Sequence, residues 1–425
     1  MANRLLDHAA RRSGDSAPDP QRLHAAWCEG GIDACVLVLP SLLALLPRGA
    51  APLAGVAGLC AAGLVLTTAR GRSGLAWPPV MLLVGILLWG AISAAWSIDP
   101  GRSLALDARL AGVFAAGVAL AAAAGRVAAP GRLALLLLVG TLAAIGVAVI
   151  DLTGGGIVSR LVSVRPFAAP RLNQIAVWTA IVLLPTGALL VCRGQVLWAA
   201  VIAAVMAATV TLLDATGGKT ALAVAVPTAA LLYLWPRVVG RVMAVLSVAA
   251  ILTAPLTLPS LAGSPSLFAA VDSFKESAGH RLLIWRFAGD RIAERPLFGW
   301  GLDASRAVPG GDVEARPGEK FLPLHPHDSA LQAWLELGAP GALLLALFVG
   351  CLWLSLAEAP WPRLYRAAAG GSLTVVSAIA AAGWGIWQEW WLGTLALALF
   401  AVLVMARAAE PLPILRDAPA GRSSG

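Results

Sequence analysis

The residues with the most chemical promise are Arg281 and His327. Residues 281–294, RLLIWRFAGDRIAE, read as an amphipathic helix. Arg286, Asp290 and Glu294 recur every fourth residue and form a solvated, ion-paired stripe. Arg281 falls instead on the side of Trp285, Ala288 and Ile292, in the first turn, where the helix dipole disfavours a cation. A guanidinium placed against both rules answers to something outside its own helix. Its planar fork of donors matches phosphate or pyrophosphate oxygens. A snorkelling arginine at a membrane surface is the alternative.

His327 lies in Leu324-His325-Pro326-His327-Asp328-Ser329. Pro326 disfavours helix at the residue before it, and Asp328 is a natural N-cap. Leu331, Trp334 and Leu335 then keep helical spacing until Gly338 and Pro340 stop it. His327 is thus expected at the N-terminal end of a short helix, where the dipole favours anions and holds an imidazole neutral. A neutral histidine in that position can serve as a general base. His325 is expected to point elsewhere, because Pro326 turns the chain. A histidine that only caps or packs is the bland alternative.

Other chemistries fit worse. His325, His327 and Asp328 lack a further nearby histidine except His280, so a metal is not expected. Ser329, His327 and Asp328 are too close in sequence to converge as a triad. The short runs Gly154-Gly155-Gly156 and Gly217-Gly218-Lys219 make no nucleotide-binding glycine pattern. No cofactor is expected.

The elements that must position these residues are transmembrane helices. Of 425 residues, 59% are hydrophobic and 13% charged, with mean hydropathy +0.81. A soluble globule of that composition could not cover its surface with polar groups. Nearly uncharged runs fall at 31–47, 50–69, 76–96, 104–124, 133–152, 172–192, 196–213, 219–235, 238–258, 340–357, 367–386 and 389–406. Each is long enough to cross a hydrocarbon core of about 30 Å, and in lipid each must be helical. The expected fold is an all-α polytopic membrane protein of about twelve transmembrane helices.

The segments divide accordingly. Residues 1–30 form a cytoplasmic disordered tail without the features of a cleavable signal peptide. Residues 31–258 hold helices one to nine, 259–339 one large periplasmic loop with short helices, and 340–406 helices ten to twelve. Residues 407–425 form a second cytoplasmic tail. Arg70, Arg72, Arg126, Arg132, Arg193, Arg237, Arg241, Arg363, Arg366, Arg407 and Arg416 all fall on the side this makes cytoplasmic, as the positive-inside rule asks. The net charge of +8 is therefore met by membrane lipids and topology, with no nucleic acid. Tryptophans near span ends, including Trp77, Trp96, Trp235, Trp387 and Trp391, fit interfacial belts. The five cysteines avoid the periplasmic loops and show no CxxC spacing, so disulfides and thiolate metal sites are not expected.

Several cations break the pattern by falling on the outer side. Arg160, Arg165 and Arg171 sit in one short outer loop, and Lys219 stands at the mouth of helix eight. The large loop adds Lys275, Arg281, Arg286, Arg291, Arg295, Arg306, Arg316 and Lys320. A long loop crosses regardless of charge, but the short ones are discouraged from carrying it. A cationic pocket for phosphates is one explanation, and a basic, lipid-facing surface is the other.

Four short patterns, in order, resemble the O-antigen ligase and polymerase superfamily. Trp96-Ser97-Ile98-Asp99-Pro100 with Ser103-Leu104 resembles its first outer loop. Thr216-Gly217-Gly218-Lys219-Thr220-Ala221 is similar to a helix start of that family, with Lys219 where many members have arginine. Arg281, Trp285, Pro296 and Gly299-Trp300-Gly301 follow the pattern of its large loop. His327, Leu331, Glu336-Leu337-Gly338 and Gly341 follow its closing motif. The resemblance implies a GT-C-like membrane glycosyltransferase that takes a glycan from an undecaprenyl-pyrophosphate carrier. The acceptor would be lipid A-core in a ligase or a growing glycan in a polymerase. It implies no divalent metal, essential roles for Arg281 and His327, and a supporting cation in Lys219. Either Arg165 or Arg171 would be a further substrate-binding arginine. The family's Gly-x-x-x-Asn run is blurred here to Arg165-Pro-Phe-Ala-Ala-Pro-Arg171-Leu-Asn173, which leaves both open.

Pyrophosphate departs without needing a proton, so the carboxylate pair of ordinary glycoside chemistry is not required. Cations to receive the departing charge and one base for the acceptor hydroxyl suffice. A lipid-linked glycan transporter is the competing class. Such proteins tend to repeat internally and to carry ionisable groups at mid-membrane; no repeat is evident here. Asp107 and Arg109, near the outer end of helix four, are expected to be able to pair.

Overall fold

The computed structural model of the protein describes residues 20–68, 76–162, 169–213 and 215–410. The described chain is almost wholly helical. It runs through α1 (Pro20–Leu45), α2 (Ala50–Thr67), α3 (Trp77–Ser93), α4 (Pro100–Ala124), α5 (Pro130–Thr153), the short α6 (Ile157–Val162), α7 (Asn173–Cys192), α8 (Val196–Leu212), α9 (Thr216–Leu234) and α10 (Pro236–Ala262). Two polar-region helices follow, α11 (Pro265–Phe274) and α12 (Glu276–Glu294), then a two-residue-wide hairpin of β1 (Glu314–Arg316) and β2 (Glu319–Lys320). The chain closes with α13 (Ser329–Ala357), α14 (Arg363–Ala382) and α15 (Glu389–Ala409).

Ten helices among the described residues are long and apolar enough to cross a membrane, and α3 and α8 are apolar helices of 17 residues. Seventeen residues rise about 25 Å, at the short end of what spans a bilayer. These twelve coincide with the apolar runs of the sequence. The helix ends differ where polar residues continue an apolar helix. Thus α1 begins at Pro20, well before the run at 31, and α14 ends at Ala382 because Gly383 leaves the helical conformation.

The loops rich in arginine gather at one end, and there the guanidiniums cap neighbouring helices. Arg407 donates to the carbonyls of Ala124 and Val127 beyond α4, Arg193 to Ala408 of α15, and Arg366 to Ala357 and Ala359 at the end of α13. Arg363 does the same for Tyr233 and Leu234 at the end of α9. Helix C-termini leave carbonyls unsatisfied and carry the negative end of the dipole, so these arginines answer both needs. Asp33, the charge inside the first apolar run, is paired with Arg132 at 2.5 Å. Arg109 pairs across to Glu389 rather than to Asp107, and the Asp107 Oδ1 is buried without a partner. Those two side chains lie on different faces of α4, so the expected pair does not form.

Helices α7 and α15 occupy the middle of the bundle, surrounded by α1, α2, α4, α5, α8 and α14. Small residues let the backbones close up: a Cβ on Gly140 of α5 would stand 2.2 Å from the Leu37 carbonyl of α1. Polar side chains tie helices inside the bundle, as Ser372 of α14 does to Ile181 of α7 at 2.5 Å. Helix α10 packs on both α12 and α13, and α9 packs on α14. The end away from the arginine caps, where α12 and the head of α13 lie, carries the site.

Candidate functional site

The three loop motifs of the sequence are assembled here by backbone bonds. The Trp300 and Gly301 N–H groups donate to the carbonyls of Leu335 and Glu336, and the Ala339 N–H to Pro296. The two chains approach so closely that Gly299 and Gly338 have no room for a side chain, a Cβ on Gly338 standing 2.3 Å from the Leu297 carbonyl. Gly338 also holds φ 64, ψ −162, which breaks α13 into two helical pieces. The outer loop before α4 joins them. The Ile98 N–H donates to Trp300, Ser103 Oγ to the Leu302 carbonyl, and Arg102 pairs with Asp303 at 2.8 Å. The head of α9 is tied in by Lys275, whose Nζ donates to Thr216 Oγ1.

Helix α12 begins at Glu276, so Arg281 stands in its second turn, not its first. The expected argument from the dipole therefore falls; the apolar face was legible but the start was not, because Glu276–His280 carries no hydrophobic pattern. Arg281 is nonetheless on the covered side with Leu282, Ile284, Ala288 and Ile292, while Arg286, Asp290 and Glu294 face outward. The outward stripe is not internally paired as expected: Glu294 pairs with Arg291 at 2.8 Å. Burial lowers the Arg281 pKa, and no hydrogen bond or ion pair to it is found among the described residues. A half-buried guanidinium without a counter-ion is costly and is poised for an anion.

Asp328 caps α13 through the Leu331 N–H at 2.7 Å, and burial pushes its carboxyl up to about 7. His327, just before it, holds φ 60, in the left-handed region that few side chains enter. Trp285 of α12 donates to the Pro326 carbonyl at 3.1 Å and so fastens this turn above Arg281. The His327 Nδ1 lies 2.8 Å from the Gly383 carbonyl oxygen, just beyond α14. A carbonyl only accepts, so the ring proton sits on Nδ1 and the lone pair on Nε2 is left open. Burial lowers the His327 pKa, Arg281 and His280 adding to it and the Gly383 bond opposing. Desolvation, not the helix dipole, is thus the leading cause of its neutrality.

His325 does not point elsewhere. Its ring lies 4.3 Å from that of His327, and its Nδ1 accepts the His327 N–H at 3.1 Å. Burial, followed by the charges of His327, Arg306 and Arg281, pushes its pKa down to about 3. Pro326 reverses the chain, which is why both rings meet on one side. Arg306, one of many outer cations in the sequence, lies 3.7 Å from Asp303, whose φ is 57, and its charge is felt at His325.

The other expected cations stand apart or fall outside what is described. Lys219 is exposed in the first turn of α9, and no bond links its side chain to Arg281 or His327 among the described residues. Arg165 lies outside the described residues; Arg171 is in the turn Ala169–Leu172 before α7, and its side chain is not described. No group of three metal-binding side chains is found among the described residues.

Two features went unread in the sequence. The sequence places residues 383–386 at the end of the run 367–386 and Trp387 in an interfacial belt, whereas in the structure 383–388 is a turn beyond α14. Trp387 is buried and donates to Glu336 at 2.9 Å. Glu336, noted only as part of a motif, is wholly buried and accepts from the Asp303 and Trp387 nitrogens, Gln332 and Ser305. A carboxylate in an otherwise apolar helix was the available signal.

Fold and site together define an all-α, multi-pass membrane protein with a histidine–arginine cluster at one end of the bundle. Residues 199–346 match the family model described as O-Antigen ligase, a segment that contains Lys219, Arg281 and His327, and the resemblance to that superfamily is thereby shown. The chain is 39% identical over 137 residues to a Rickettsia prowazekii protein named "Putative polysaccharide ligase", and 31% identical over 185 residues to its Rickettsia typhi counterpart. The matches cover 30% and 41% of this chain, and the chain spans only 33% and 45% of the length of those two relatives.

Proposed function

We propose that the protein transfers a glycan from undecaprenyl pyrophosphate to an acceptor sugar, lipid A-core, at the periplasmic face of the bacterial inner membrane. The observation that carries this reading is Arg281, half-buried and without a counter-ion among the described residues, acting on His327, whose Nε2 is the open nitrogen. The acceptor hydroxyl gives its proton to His327 Nε2 as its oxygen attacks the anomeric carbon. The bond from that carbon to the phosphate oxygen breaks, and the pyrophosphate leaves with the electron pair. Arg281 receives the developing charge, with Lys219 and Arg165 or Arg171 as supporting cations. In-line attack inverts the anomeric centre. The chemistry is cationic throughout, so no metal is needed.

Purified protein, carrier-linked glycan and lipid A-core acceptor test this directly. Transfer that persists in excess EDTA, with inverted product, is the expected result. Activity lost to EDTA and restored by magnesium or manganese would overturn the arginine scheme. In a deletion strain, carrier-linked polymer should accumulate with bare core; single repeat units on the core would indicate a polymerase instead.

A further inference from the structure

Glu336 presents a physical puzzle. It is 0% exposed, inside a helix that spans the bundle, and no cation is bonded to it among the described residues. Such a carboxylate is costly unless its lone pairs are used. They are: Asp303 N–H donates at 2.7 Å, Gln332 Nε2 at 3.0 Å, Trp387 Nε1 at 2.9 Å, and Ser305 Oγ closes the set. Gln332, one turn earlier on the same helix, uses its other atom to accept the Ile386 N–H at 3.0 Å. The two side chains therefore grip the turn 383–388 at Ile386 and at Trp387.

That turn is also what touches the histidines. Gly383 supplies the carbonyl for His327 Nδ1, and the Gln388 side-chain nitrogen stands 3.3 Å from His325 Nε2. Gly385 is drawn in so tightly that a Cβ there would meet the His325 ring at 2.9 Å and Gln332 Oε1 at 3.2 Å. We propose that Glu336 and Gln332 are positioning residues, holding the 383–388 turn so that the Gly383 carbonyl keeps the His327 proton on Nδ1. This rests on the reading of His327 as base. The arrangement does the work that a carboxylate does in a serine-protease triad, with one difference. A carboxylate on Nδ1 would place negative charge beside the phosphates. A carbonyl sets the tautomer and leaves the site cationic.

Among the described residues, the charged and titratable groups that act on the two histidines are consistent with that economy. Arg281 and His280 face it from α12, His325 and Asp328 from its own segment, and Arg306 reaches His325 from the 304–307 turn. Of the two buried carboxyls nearby, Asp328 caps α13 and Glu336 acts on the turn; neither is bonded to the His327 ring among the described residues.

The test is nitrogen NMR of histidine-labelled full-length protein in nanodiscs, read beside transfer kinetics. The His327 signal is assigned by its loss in His327→Gln. In the wild type it should report the proton on Nδ1. In Glu336→Gln, and in Gln332→Met and Trp387→Phe, which each remove one grip and leave the Glu336 side chain in place, a mixture of tautomers should appear. Transfer kcat should fall by about tenfold or more, as supporting contacts commonly cost, with donor KM within about twofold, since ground-state binding is untouched. If Glu336→Gln fails to fold, the other two variants decide the matter. A wild-type proton on Nε2, or an unchanged tautomer and kcat in Gln332→Met and Trp387→Phe, overturns the proposal. A changed tautomer with unchanged transfer would uphold the positioning role and remove the base reading instead.

Discussion

The rings of His325 and His327 lie 4.3 Å apart, and the His327 N–H donates to His325 Nδ1 at 3.1 Å. The contact holds His327 at φ 60, where a non-glycine residue needs outside support. His325 is thus part of the frame that holds His327.

A graded loss should follow. His327→Ala should lower transfer by about 10²–10⁴-fold, the usual worth of a general base. His327→Gln should rescue almost none of it, because an amide hydrogen-bonds but takes no proton. His325→Ala should cost about tenfold, a supporting effect. In vitro transfer, with donor binding measured in parallel, checks the order. Wild-type rates in His327→Gln would mean that the base lies elsewhere.

How much of this could be read beforehand follows from the kind of pattern each part leaves. Twelve apolar helices were legible because lipid demands long uncharged runs. The Asp328 cap and the break at Gly338 were legible because caps and glycine stops are local chemistry. The start of α12 was not, since Glu276–His280 is held by its neighbours rather than by an apolar period. The meeting of His325 with His327 was hidden because a proline says that the chain turns, not where it goes. The turn 383–388 was hidden more deeply. Its tryptophans and glycines read as a membrane run, and only the fold shows Trp387 bound to Glu336 and Gly383 to His327.

Arg281 and Arg286 make a second contrast, on one helix. Arg281→Ala should abolish transfer while the protein still accumulates in the membrane. Arg281→Lys should recover little, because a point charge does not replace a bidentate fork. Arg286 is exposed, and Arg286→Ala should remain near wild type. Membrane abundance and transfer, measured for all three, decide it. An essential Arg286 beside a dispensable Arg281 would refute the assignment.

The pH dependence carries a definite sign. In the proposed role His327 works neutral, and burial, with Arg281 and His280 adding to it and the Gly383 bond opposing, lowers its pKa from the ordinary 6.5. Transfer should therefore rise with pH and be lost as pH falls through that lowered value. A kcat profile measured from pH 5 to 8 should show its acid limb below 6.5. A limb centred above 7 would mean that the titrating group is charged more readily than a buried histidine beside Arg281 allows.

The last prediction concerns Gly338, which touches no proposed substrate. Its φ of 64 with ψ of −162 belongs to a region that is essentially glycine's alone. A methyl group there would also stand 2.3 Å from the Leu297 carbonyl and 2.5 Å from its carbon. Backbone cannot yield as a side-chain tip can, so Gly338→Ala must push the 296–301 segment off α13. That breaks the bonds from Trp300 to Leu335 and from Gly301 to Glu336, 2.9 and 2.8 Å long. The backbone strain alone costs about 1–3 kcal/mol, and the displaced turn carries Asp303 away from Glu336. Gly338→Ala should thus lower both the unfolding temperature in detergent and the rate of transfer. Gly146, inside α5 with nothing within 4 Å of a built Cβ, is the control. Gly146→Ala should be neutral or stabilise slightly, as alanine does inside a helix. Equal unfolding temperatures for the two variants would show that the close approach of Gly338 and Leu297 does not hold the site together.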